Sequence, residues 1–170
     1  MAPGPLLITS FQPWRSHQLS NSSDDLIAAL QSDNRLPEDC IWSRNVPVSF
    51  ELAPIRVISE VCKYRPRAVV CCGMAERRAY LSVERQAVRG ENCLITSANV
   101  TRLLQKTQLS VVSEDAGSYV CNALYYSVLE SIERYKLPTA AIFVHVPILS
   151  AERKRPVLED FMEIVSALAS

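Results

Sequence analysis

The chain has 170 residues, 48% of them hydrophobic, and its 18 basic and 18 acidic side chains cancel to a formal charge of zero. That is enough apolar material for a sizeable core, and one domain over residues 1–170 is expected. The two signs are interspersed without a basic stripe, which argues against nucleic acid or an anionic membrane as main partner. No apolar run approaches the ~20 residues of a membrane span.

In chain order, Pro5–Ser10 predicts a short strand and Phe11–Ser20 a polar loop with an aromatic pair. Asn21 to Asp25 supply cap and first-turn residues for a helix facing inward through Leu26, Ile27 and Leu30. Cys40–Ser49 alternates like a strand, and Ser49 precedes a helix carrying Ile55, Ile58, Val61 and Cys62, stopped before Pro66. Ala68–Gly73 is a continuous apolar run, the pattern of a strand buried on both faces. Tyr80–Val88 reads as extended or irregular, Asn99–Gln105 as a short helix, and Leu109–Ser113 as a strand. A helix opened by Ser118 aligns Val120, Leu124, Val128, Ile132 and Tyr135. Thr139–Val146 is another buried strand, and Pro156 marks the start of a last helix. Strands alternating with helices imply a three-layer α/β/α sandwich with a mostly parallel central sheet, whose functional groups collect at the carboxyl ends of the strands.

The six cysteines form no C-x-x-C pair and only two histidines exist, so zinc-ligand spacing is absent and no metal is expected. The opening MAPGPLLITSF lacks the charged segment and cleavage site of a signal peptide, so reduced thiols are expected rather than disulfides. Most of these cysteines read as small core hydrophobes. Cys121 differs. It falls in the first turn of an amphipathic helix, where unpaired N–H groups favour a thiolate and predict a lowered pKa. The small Ala116-Gly117-Ser118 run before it allows a tight turn with N–H groups facing the reacting centre. His145, where a buried strand runs out into Pro147, is a candidate base. The other histidine, His17, lies in a polar loop. A third group should orient the imidazole, and Glu84, Glu114 and Asp115 all remain open for that role. Phe11 and Trp14 could wall an apolar slot or cap the core edge. The four scattered glycines form no phosphate loop, so no nucleotide cofactor is indicated.

The motifs resemble those of the pyroglutamyl peptidase I (pyrrolidone-carboxylate peptidase) family of cysteine peptidases. Ala116 to Asn122, AGSYVCN, is similar to the family's A-G-x-[FY]-V-C-N. His145-Val146-Pro147 resembles its H-V-P, and Glu84-Arg85-Gln86-Ala87 its E-R-x-A. Thr9 to Trp14 and Asn21 to Ser23 resemble its opening segments. The resemblance implies removal of N-terminal pyroglutamate from small blocked peptides through a thioester. Cys121 would be nucleophile, His145 base and then acid, and Glu84 the orienting carboxylate. Phe11, Trp14 and Tyr119 would hold the lactam ring. It further implies a cytosolic enzyme, often a homo-oligomer, that needs no metal or cofactor.

The chain also departs from the family, as a shortened and divergent member. Ser10 replaces a glycine, and Gly73-Met74-Ala75 stands for G-Q-A, losing a polar side chain. No arginine falls at the family's place within Val88–Leu94, and the stretch from there to Ala116 is shorter. An alternative reading is therefore a catalytically weak or inactive relative that binds a small ligand or peptide.

Overall fold

The computed structural model describes residues 4–169 of the chain, so residues 1–3, at the head of the expected first strand, lie outside the described residues. Strand β1 (Leu6–Phe11) is buried along its whole length. Helix α1 (Ser22–Ser32) starts where the Asn21 side chain accepts the N–H of Ser23 at 3.1 Å, and it buries Leu26, Ile27 and Leu30 as their spacing requires. Strand β2 (Cys40–Val46) leads to helix α2 (Leu52–Tyr64), whose first free N–H groups, on Glu51 and Leu52, are taken by Ser49 Oγ. Of the apolar residues that marked this helix in the sequence, Val61 faces the sheet. Ala53, Val57 and Val61, spaced by four, form the ridge against the sheet, while Ile55 is 65% exposed and Cys62 faces outward. The helix ends at Arg65, in the left-handed conformation, just before Pro66.

Strand β3 (Ala68–Met74) is followed by β4 (Ser82–Glu84) and then by a separate hairpin of β5 (Gln86–Arg89) and β6 (Asn92–Ile95). The segment expected to be extended or irregular is therefore β4 plus half of that hairpin. Asn99 caps the short helix α3 (Val100–Leu103), and β7 (Val111–Ser113) comes next. Helix α4 (Val120–Arg134) has Tyr119, not Ser118, at its N-cap position. Strand β8 (Ala140–Val146) precedes α5 (Ala151–Ala169), which contains Pro156 rather than starting at it. Ser150 O accepts the N–H groups of Arg153 and Lys154 and winds the exposed first turn, and Pro156 follows in the second turn, where the helix goes on with one backbone donor fewer.

The six-stranded sheet runs β2-β1-β3-β8-β4-β7, with every pairing parallel except β4 against β8. Helices cover both faces, giving the expected α/β/α sandwich. Alternate residues of each strand serve opposite layers. Val70 and Cys72 of β3, with Ile142 and Val144 of β8, pack with α1, α3 and α5. Val69 and Cys71, with Ala141 and Phe143, pack with α2 and α4.

Candidate active site

The second layer opens into a cavity at the carboxyl ends of β1, β3 and β8. Gly73 and His145 are register partners on neighbouring parallel strands and point to the same face. A Cβ on Gly73 would lie 2.7 Å from Cys121 Sγ and 2.8 Å from Phe143 Cζ. The thiol thus occupies the space that the glycine leaves empty, beside the imidazole. Cys121 reaches this point as the second residue of α4, and Gly117, with φ +80°, makes the turn that leads into the helix.

Glu84 reaches His145 because β4 runs antiparallel beside β8, pairing Glu84 with Phe143 and Ser82 with His145. The carboxylate is fully buried, and its Oε1 lies 2.7 Å from His145 Nδ1. With Nδ1 engaged, Nε2 is the ring nitrogen left to face a reactant. No hydrogen bond joins Cys121 to His145 among the described residues. Of the other acids that the sequence left open, Glu114 pairs with Arg85 at the surface, and Asp115 accepts the N–H of Gly117 at 2.9 Å. His17 is exposed and bonded to Glu76 at 3.0 Å.

Arg78 was not foreseen. Its Nη1 donates to the same Glu84 Oε1 at 2.6 Å, and its Nη2 donates to the carbonyl of Asp115, also at 2.6 Å. Only the Arg77-Arg78 doublet after a buried strand hinted at it. No periodicity says which of two adjacent arginines in a turn points inward.

The electrostatics differ from the sequence-based expectation. Burial pushes the Cys121 thiol up to about 12, with Cys71 and Glu84 adding to the rise. The residue's own backbone N–H and the Arg78 guanidinium act in the opposite sense, as expected of a helix terminus and a cation, but desolvation outweighs both. The thiol is therefore neutral near pH 7. Asp115 takes the Gly117 N–H, which removes that one donor from those anticipated over Ala116–Ser118.

The cavity measures about 610 Å³ and is lined by Phe11, Trp14, Met74, Tyr119, Cys121 and His145, among others. Phe11 is buried, whereas Trp14 is 46% exposed and its ring centroid lies 5.5 Å from that of Tyr119. Met74 Sδ accepts the N–H of Ser22 at 3.4 Å, tying this wall to the start of α1. Among the described residues, no group of three or more His, Cys, Asp or Glu is placed to hold a metal ion, and no helix is long and apolar enough to cross a membrane.

Comparison with known proteins matches the chain to the family model for pyroglutamyl peptidase over residues 5–109 and 98–156. The chain is similar to the pyrrolidone-carboxylate peptidase of Brachyspira hyodysenteriae, with 27% identity covering 86% of this chain and 84% of that protein. It is also 27% identical to pyrrolidone-carboxylate peptidase 1 of Caldanaerobacter subterraneus subsp. tengcongensis, over 85% and 82% of the two chains. Its fold resembles that of pyroglutamyl peptidase I from Bacillus amyloliquefaciens, with a TM-score of 0.84 and 20% identity over 98% of each chain. It likewise resembles the pyrrolidone carboxyl peptidase of Thermococcus litoralis, with a TM-score of 0.82 and 18% identity over 98% and 93%.

Proposed function

The chain belongs to the pyroglutamyl peptidase family, and on that premise we propose that it is a cysteine peptidase that removes N-terminal pyroglutamate from peptides. The observation that carries the mechanism is the continuous set Glu84–His145 beside a thiol seated over Gly73, at the floor of an aromatic-walled cavity.

In this reading His145 is general base, Glu84 orients it, and Cys121 is the nucleophile. Burial favours the protonated thiol, so in this reading the proton leaves during the attack. His145 Nε2 takes the Sγ proton as sulfur bonds to the pyroglutamyl carbonyl carbon, and buried Glu84 stabilises the imidazolium that forms. The N–H groups opening α4 stabilise the oxyanion. The imidazolium then protonates the leaving amine, the C–N bond breaks, and a thioester remains. His145 next deprotonates water for attack on that thioester, releasing pyroglutamate and restoring the thiol. Phe11, Trp14 and Tyr119 are proposed to hold the lactam ring, a flat group suited to an aromatic slot. No step requires a metal or cofactor.

A cytoplasmic setting is part of the same proposal, supported by six free cysteines. So is a homo-oligomer, supported by the exposed apolar side chains Phe50, Leu52 and Ile55. Light scattering of the purified chain checks the latter.

The deciding experiment is hydrolysis of pyroglutamyl-7-amido-4-methylcoumarin. Wild type is expected to release the fluorophore, and Cys121→Ala to lose about 10⁴-fold or more while still folding. A wild-type chain that leaves this amide intact, yet holds a pyroglutamyl peptide in calorimetry, would identify the binding-only alternative instead.

A further inference from the structure

Arg78 stands between the two halves of the site. We infer that Arg78 is a positioning residue of the proposed reaction, its guanidinium holding Glu84 against His145 and tying that carboxylate to the segment that launches the cysteine helix. The inference rests on the cysteine-peptidase reading given above.

The geometry is specific. One guanidinium donates to Glu84 Oε1 on β4 and to the Asp115 carbonyl, just before Ala116–Tyr119 and α4. The turn carrying it is pinned to the sheet, since Ala75 N–H donates to Val146 O at 2.9 Å and Arg78 N–H to Ala75 O at 3.0 Å. Its anchors therefore include the ends of β3 and β8, β4 and the entry to α4, which together carry Gly73, His145, Glu84 and Cys121.

The charges give the reason. Glu84 is fully buried, and its Oε2 receives no hydrogen bond, so Oε1 carries both of the side chain's contacts. A neutral imidazole alone does not offset a buried carboxylate. Arginine remains charged at any working pH and fixes its partners through a planar fork. Arg78 with Glu84 is neutral before the proton transfer. Moving the Cys121 proton to His145 then adds a thiolate and an imidazolium, and the set stays neutral. Without Arg78 the carboxylate loses the partner that fixes Oε1 toward His145 Nδ1 and its tie to the segment entering α4, so the imidazole and thiol are held less well for the transfer. The cavity also exposes one side of the guanidinium, so a direct contact with substrate is the rival role that the test must separate.

The test uses the full chain with Arg78→Met and Arg78→Lys. Two readouts are compared at one pH: the rate of iodoacetamide alkylation at Cys121, followed by mass spectrometry, and the steady-state constants for pyroglutamyl-7-amido-4-methylcoumarin. Thermal melts report the folded fraction. Arg78→Met is expected to slow alkylation by about 10-fold and to lower kcat by about 100-fold, with KM changed less than about threefold. Arg78→Lys, which keeps the charge but loses the fork, should recover part of both. Alkylation at the wild-type rate in folded Arg78→Met overturns the inference, as does a loss confined to KM. If Arg78→Met does not fold, an Arg78→Lys variant equal to wild type in both readouts also overturns it. If wild type leaves the amide intact but Arg78→Met still slows alkylation, the substrate reading fails and the role of Arg78 stands.

Discussion

The two faces of the central sheet are built by the same strands and do different work. Toward α1, α3 and α5, β8 offers Ile142, Val144 and Val146 to a mainly apolar core, whose buried Asp160 on α5 accepts the N–H groups of Gln108 and Leu109. Toward α2 and α4 it offers Ala141, Phe143 and then His145, and that layer is interrupted at its carboxyl end by Glu84, His145, Cys121 and the Tyr125 hydroxyl, which donates to the Glu84 carbonyl at 3.0 Å. The lesson is that buried polar groups gather where strand ends leave the packing incomplete. Glu84 Oε1, His145 and Tyr125 are tolerated there because they are paired, the carboxylate with Arg78 and the imidazole, and the tyrosine with a backbone carbonyl.

The sharpest way to break this contrast is to remove charge from one face and volume from the other. Glu84→Gln keeps the shape but leaves Arg78 and His145 without their anion, and is expected to lower kcat by about 10²–10⁴-fold in the coumarin assay. Equal kcat in that variant would detach Glu84 from the mechanism. Gly73→Ala drives a methyl into Cys121 Sγ and Phe143, and should reduce kcat by about 100-fold as the thiol is displaced. A crystal structure of the variant would report that shift. On the other face, Ile142→Ala should cost about 2–5 kcal/mol in urea unfolding and leave kcat of the folded fraction close to wild type.

The buried thiols supply the smallest effect, a pH dependence of stability. Cys71 is fully buried and, like Cys121, is pushed up to about 12 by desolvation. A thiol raised in this way keeps its proton in the fold after the unfolded chain has lost it. Its contribution is therefore complete below about pH 8.5 and is lost as pH rises from there toward 12. By pH 10 the loss is about 2 kcal/mol for Cys71 alone. Urea midpoints at pH 8 and pH 10 should fall accordingly, and Cys71→Ala should flatten the decline. An unchanged slope in that variant would place the titration elsewhere.

The elements that were legible in the sequence are those whose signal is local. Asn21 caps α1 through its own side chain, and Ala68–Gly73 and Thr139–Val146 are continuous apolar runs that only doubly covered strands tolerate. Other features were misplaced for equally physical reasons. Of the apolar residues that marked α2 in the sequence only Val61 is on its packing ridge, which the four-residue spacing of Ala53, Val57 and Val61 sets. Pro156 was taken as a helix start, although a proline in an exposed early turn costs one solvent-side donor and does not stop the helix. The helix-terminus argument for Cys121 had the right sign for that one contribution, yet desolvation by the surrounding fold exceeds it.

By itself the sequence determined the alternation of strands and helices, the α/β/α class, and the few residues able to carry nucleophilic chemistry. Motif likeness then ordered Glu84, Cys121 and His145 into one candidate set. The tertiary structure decided how that carboxylate meets the imidazole. That contact depends on β4 running antiparallel against β8, a pairing between segments 61 residues apart for Glu84 and His145. It alone introduced Arg78, and it alone made the Cys121 thiol neutral. Charge, burial and reach across the sheet are properties of neighbours brought together by the fold, and no local pattern of residues encodes them.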